Sequence, residues 1–74
     1  MREFNEVELT TILAYIPNNS NLALLASIFK CDYEDLKYVY GRAYFHKQKY
    51  TDTYSDYDKL IVKVKEDLGI ANLG

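Results

Sequence analysis

The 74-residue chain is predicted to be all-α, a compact domain of three to four helices. Three observations lead there. Apolar residues recur at i, i+3, i+4 and i+7 in separate stretches, cap-forming residues precede those stretches, and Pro17 and Gly69 stand just beyond two of them.

The first helix is expected over residues 6–16. Asn5 can act as its N-cap with Glu8 three residues on, as in a capping box, and Phe4 and Leu9 sit where a hydrophobic staple packs. Leu9, Ile12, Leu13 and Ile16 form the buried stripe, and Pro17 ends the helix. Asn18, Asn19, Ser20 and Asn21 then provide caps for a second helix over residues 22–30. Its stripe is Leu22, Leu25, Ala26 and Phe29, with Leu24 and Ile28 on another side. A helix apolar on nearly all sides is expected between others, at the centre of the core.

The third helix is expected over residues 33–49. Asp32 can cap it, Cys31 and Leu36 are placed as its staple, and Glu34 and Asp35 complement the helix dipole in the first turn. Its core face is Leu36, Val39, Tyr40, Ala43 and Tyr50. Gly41 costs about 1 kcal/mol relative to alanine within a helix, and residues 38–45 also suit a short hairpin turning at Gly41 and Arg42. The agreement of cap and apolar spacing favours the helix. Residues 50–53 read as a loop. A fourth helix over residues 55–68 is capped by Ser55 with Asp58 three residues on, buries Tyr57, Ile61, Val64 and Leu68, and stops at Gly69. Residues 61–65 alternate like a strand as well, but the cap decides for helix.

Such a short chain lies near the lower limit at which a core supports itself. The lone Cys31 forms no internal disulfide, and with His46 the single histidine a closed zinc site is not expected. No cofactor is implied. A homodimer interface remains open as the other usual reinforcement. One cysteine fits a reducing compartment. No basic segment precedes an apolar run at the N-terminus, and the longest apolar stretch, residues 22–29, falls short of the roughly 20 residues that cross a bilayer. The expectation is a cytoplasmic protein with no membrane partner.

The net charge of −2 hides an asymmetry. Residues 1–36 carry Arg2 and Lys30 against Glu3, Glu6, Glu8, Asp32, Glu34 and Asp35, a balance of −4. Residues 37–49 carry Lys37, Arg42, Lys47 and Lys49 with no acid, a balance of +4. Residues 50–74 return to −2. The acid-free stretch is where an anion would bind.

Reactive constellations are missing. There is no Gly-rich phosphate loop, no G-x-S-x-G elbow, no H-E-x-x-H and no C-x-x-C. Cys31 and His46 make the one conceivable nucleophile–base pair, and Cys31 is expected between core helices as a small hydrophobe. Asp52, Asp56 and Asp58 lack the glycine turn and terminal glutamate of a calcium loop. The chain is therefore expected to bind rather than catalyse, with no catalytic residues.

Residues 22–41 carry Leu25 beside the small Ala26, then Phe29 and Cys31 around a turn, then Leu36 and Val39 as an inward pair. This pattern resembles the helix-turn-helix of small bacterial and phage regulators, with residues 6–16 as the supporting helix. The turn position that often holds glycine holds Lys30. The resemblance implies transcriptional control by binding double-stranded DNA, with Asp32, Tyr33, Glu34, Lys37 and Tyr38 leading into the groove.

A third helix continuing to residue 49 would also gather Tyr38, Arg42, Phe45 and Lys49 on one face opposite the core. Three readings follow. For nucleic acid, Lys37, Arg42, Lys47 and Lys49 neutralise phosphates, Tyr38 and Tyr44 offer hydroxyl or stacking contacts, and Tyr33, Glu34, Lys37 and Tyr38 approach base edges. For a partner protein, Tyr38, Arg42, Phe45 and Lys49 are hot-spot residue types, as an antirepressor-like or inhibitory factor would use on another regulatory protein. In the third, the last helix folds over Tyr38 and Phe45 and the lysines form a solvated rim.

Overall fold

The computed structural model describes residues 1–45 and 55–70, all helix and connection, with no strand among them. In chain order the elements are α1 (Glu6–Leu13), α2 (Asn19–Phe29), α3 (Tyr33–Phe45) and α4 (Asp56–Asp67). The all-α expectation holds, and the hairpin and strand alternatives do not, since residues 38–45 and 61–65 are helical.

The local signals at the starts of α1 and α4 act as expected. The Asn5 side chain accepts from the Glu8 N–H while the Glu8 carboxylate accepts from the Asn5 N–H, closing a capping box. Phe4 and Leu9 are both buried, as a staple requires. Ser55 and Asp58 form the equivalent box on α4. At its far end Gly69 adopts φ 74°, and the Gly69 and Ile70 N–H groups bond to the Glu66 and Lys65 carbonyls, the Schellman pattern.

Two boundaries differ from expectation. Helix α1 stops at Leu13 rather than residue 16, because Pro17 disfavours the helical conformation at Ile16 and its ring would meet the Leu13 carbonyl. Ile16 is consequently 71% exposed instead of completing the stripe. The Tyr40 hydroxyl reaches across from α3 to the Ile12 and Tyr15 carbonyls at that end, the first of which also accepts from the Tyr15 N–H. Helix α2 starts three residues earlier than expected, because Asn18 takes the cap, accepting from the Asn21 N–H at 2.8 Å. The Asn21 amide in turn donates to the Ile16 carbonyl and pins the crossing chain.

Lys30, just after α2, takes the left-handed conformation (φ 52°, ψ 53°) that the turn demands. The Cys31 N–H closes the turn onto the Ala26 carbonyl. A residue with a Cβ loses roughly 1–2 kcal/mol there, and Lys30 is exposed. Lys30→Gly should therefore stabilise the domain by about 1 kcal/mol, read as a rise in the urea midpoint at constant slope.

The core is one cluster: Phe4, Leu9, Ile12 and Leu13 before and on α1, Leu25 on α2, Leu36, Val39, Tyr40 and Ala43 on α3, and Tyr57, Ile61 and Val64 on α4. Helix α3 packs against the other three, and α4 lies against both α1 and α3. The central position expected of α2 thus belongs to α3. Helix α2 leans chiefly on α3 and buries only Leu25 fully, with Leu22, Ala26 and Phe29 partly covered. Leu24 and Ile28 stay 45% and 52% exposed, because no element covers their side of the helix among the described residues. Leu68, also expected in the core, is the C-cap of α4 and is exposed.

Candidate binding surface

The start of α3 is built around the Asp35 carboxylate. Asp35, on its first turn, accepts from the Asp32 N–H through Oδ2, while its Oδ1 accepts from the Arg2 N–H at 3.0 Å. These backbone donors hold its carboxyl below the ordinary carboxylate value, despite near-complete burial. Arg2 adds guanidinium bonds to the Phe29 carbonyl and to Glu8, so the N-terminal segment ties the end of α2 to the starts of α1 and α3. Cys31 is partly buried in the α2–α3 turn, where burial and the nearby Asp35 carboxylate raise its thiol above the ordinary value. Its supposed base, His46, lies outside the described residues.

Beyond this junction, the first turns of α3 face outward. Tyr33 is 45% exposed, and Glu34 and Lys37 are exposed and lie 3.6 Å apart as an i,i+3 pair. Met1, Asp32, Glu34, Asp35, Lys37 and Tyr38 line an open groove of about 560 Å3. It combines an aromatic wall, a methionine and charges of both signs, with the acids in the majority.

The basic–aromatic face expected further along α3 is used differently. The Tyr38 ring stacks on Tyr57 of α4 at 6.0 Å, and its hydroxyl donates to the Asp58 carboxylate. Arg42 lies over the same ring, 5.2 Å from its centre, and pairs with Asp58 at 3.2 Å. Burial by itself would raise the Asp58 carboxyl. The Tyr38 hydroxyl, the Ser55 N–H and the Arg42 guanidinium outweigh it and hold the group below the ordinary value. Tyr38 shifts upward, through burial and through the bond that its neutral form donates to Asp58.

Of the residues expected to meet nucleic acid, Tyr33 and Lys37 are therefore at the surface, whereas Tyr38 and Arg42 are half-buried and committed to α4. Lys47, Lys49 and the side chain of Phe45 lie outside the described residues, as do Tyr50 and Asp52. The packing of the last helix over Tyr38 matches the third of the sequence readings at that position. Asp58 was legible only as a capping residue. Its buried bonds to Tyr38 and Arg42 have no local sequence signal, because their partners lie about twenty residues away. The exposed apolar side of α2 was likewise misread as core.

Among the described residues no cluster of three or more histidines, cysteines or carboxylates could hold a metal ion, and no helix is long and apolar enough to cross a membrane. No protein-family model, curated protein or solved structure matches the chain.

Proposed function

We propose that this domain is a non-catalytic regulatory factor that docks onto another protein through the outward surface at the start of α3. The observation that carries this reading is the groove between the N-terminal segment and α3, where Met1 and Tyr38 accompany Asp32, Glu34 and Lys37, with the exposed Tyr33 on the same first turn of α3. Aromatic and methionine side chains beside mixed charges are typical of protein interfaces. Phosphate binding calls for uncompensated cations, and here Lys37 faces Glu34 while Arg42 faces Asp58. The partner surface that suits the groove carries a basic or amide-rich segment with an apolar anchor.

A photo-crosslinking residue placed at Tyr33 in the producing cell should yield one adduct of defined mass. Glu34→Lys should remove it, and the same residue at Val7 on α1, which is 76% exposed, should not form it. Equal labelling from Tyr33 and Val7 would sink the proposal.

Double-stranded DNA is the second reading. It is favoured by the turn between α2 and α3, where Lys30 occupies the left-handed position of a helix-turn-helix, with Tyr33 and Lys37 exposed on the following helix. It expects binding to random duplex at protein concentrations on the order of 10 μM in low salt, falling steeply as salt rises. Lys37→Glu should weaken that binding. Without duplex binding under those conditions, the DNA reading is lost and the protein reading stands.

A further inference from the structure

Gly41 lies inside α3, where glycine costs a helix stability relative to alanine. Nothing among the described residues requires it there. Its φ is not positive, in contrast to that of Gly69. A Cβ at position 41 would meet nothing within 4 Å outside its own stretch of helix. Neither backbone conformation nor a close neighbour in the domain therefore explains the glycine.

The missing side chain opens a hole in the outward surface of α3. At about 100° per residue, Glu34, Lys37, Tyr38 and Gly41 fall within an arc of roughly 100°. That arc lies opposite the buried Leu36, Val39, Tyr40 and Ala43. The i, i+3, i+4, i+7 spacing is that of the four residues bounding a hole for a knob from a facing helix. Lys37, Tyr38, Gly41 and Arg42 line a depression of about 270 Å3. Lys37 and Tyr38 also line the groove at the start of α3, so the two are continuous.

Building on the docking reading above, we propose that this hole seats an apolar side chain from a helix of the partner protein, and that Gly41 is bare to admit it. The walls suit such a knob, since the Lys37 stem and the Tyr38 ring present apolar surface beneath their polar tips. Charge selects what flanks the knob. Asp32, Glu34 and Asp35 outnumber Lys37 in the adjoining groove, so the groove is net negative. Asp35 is engaged by the Arg2 and Asp32 N–H groups. Glu34 and Lys37 form an exposed pair at 3.6 Å, the kind that is worth little in water. Asp32 is left to attract a cation. The occupant is thus a helix with lysine or arginine a turn or two from a leucine, methionine or phenylalanine, the cation near Asp32 and the apolar side chain over Gly41.

The test adds substitutions at position 41 to a chain carrying the photo-crosslinking residue at Tyr33. Gly41→Leu should lower the yield of the partner adduct at least about tenfold, as loss of a central interface contact does. The same variant should unfold at no lower urea concentration than the parent, since leucine is the better helix former. Gly41→Ala, which fills the hole less, should lower the yield less while reducing the unfolding equilibrium constant about fivefold. Lys59→Leu adds the same side chain to an exposed position on α4 and should leave the yield unchanged. The partner peptide in the adduct should carry the cation and the apolar residue at helical spacing.

Parental yield from Gly41→Leu would overturn the proposal and leave the docking reading in place. A lower urea midpoint in that variant would overturn it too, because the fold would then need the glycine. An adduct of twice 8.7 kDa would give the hole to a second copy of this chain instead. No adduct from Tyr33 in the parent would end both readings.

Discussion

Phe4→Ala should cost about 3–5 kcal/mol, the range for removing a large aromatic from a packed core. Phe4 precedes α1 and is 2% exposed, yet it joins three parts of the fold. Its ring meets Phe29 at the end of α2 edge-on, with centroids 5.7 Å apart, and the Arg2 guanidinium lies 4.8 Å from its centre. Its backbone N–H donates to the Tyr57 hydroxyl on α4 at 3.1 Å. Truncation opens a cavity beneath Leu9 and releases the staple of α1. A domain of this size has roughly 4–11 kcal/mol of stability in all, so the loss takes a large share of it. Denaturant unfolding followed by circular dichroism should show a much lower midpoint for Phe4→Ala at an unchanged slope. Phe4→Leu, which keeps most of the volume, should cost about 1–2 kcal/mol. A loss below about 1 kcal/mol for the alanine variant would show that the N-terminal segment does not belong to the cooperative core.

Asp58→Ala is the second large effect, expected at about 3 kcal/mol. The substitution removes the return half of the capping box on α4 and takes away the acceptor of the half-buried Tyr38 O–H, which still accepts from Arg42. It also removes a carboxylate that Arg42 pairs with. Breaking a buried pair typically costs 3–5 kcal/mol, but the Arg42 side chain is 39% exposed and regains water, which places the result at the lower end. Asp58→Asn keeps an acceptor for Tyr38 and should cost about 1 kcal/mol.

The same group sets a pH dependence of definite sign. The folded carboxyl lies below its unfolded value near 3.8, so folding favours the ionised form. The stabilisation is complete above the unfolded value and is lost as pH falls from there through the folded value. Unfolding free energy should therefore drop below about pH 4, and Asp58→Asn should flatten that slope. A residual slope should persist from Asp35, whose carboxyl is shifted in the same direction. An unchanged acid limb in Asp58→Asn would assign the pH dependence elsewhere.

How far each feature was legible follows the range of the interaction behind it. The boxes Asn5–Glu8 and Ser55–Asp58 span three residues and are visible as spacing alone. The helix-turn-helix resemblance put Lys30 at the turn position that often holds glycine, and Lys30 takes the left-handed conformation there. The end of α1 was missed by three residues because the apolar stripe through Ile16 outweighed the backbone restriction that Pro17 imposes on it. The role of α2 was missed because periodicity reports which positions are apolar, not how many neighbours the helix has. At the binding surface, Tyr33 and Lys37 are exposed as expected, while Tyr38 and Arg42 turned out to hold α4 rather than to stand free for a partner.

By itself, the sequence determined the all-helical class, the helix starts at Glu6, Tyr33 and Asp56, and most of the apolar positions on α1, α3 and α4 that form the core. All of these follow from interactions within a turn or two of the chain, where residue type and spacing suffice. Only the tertiary structure decided that α3 is the hub, that α2 keeps an uncharged apolar side outward, and that Arg42 of α3 pairs with Asp58 of α4. Those depend on which helix faces which. A carboxylate sixteen to twenty residues away changes a cation from a free charge into a structural pair, and local spacing carries no record of that meeting.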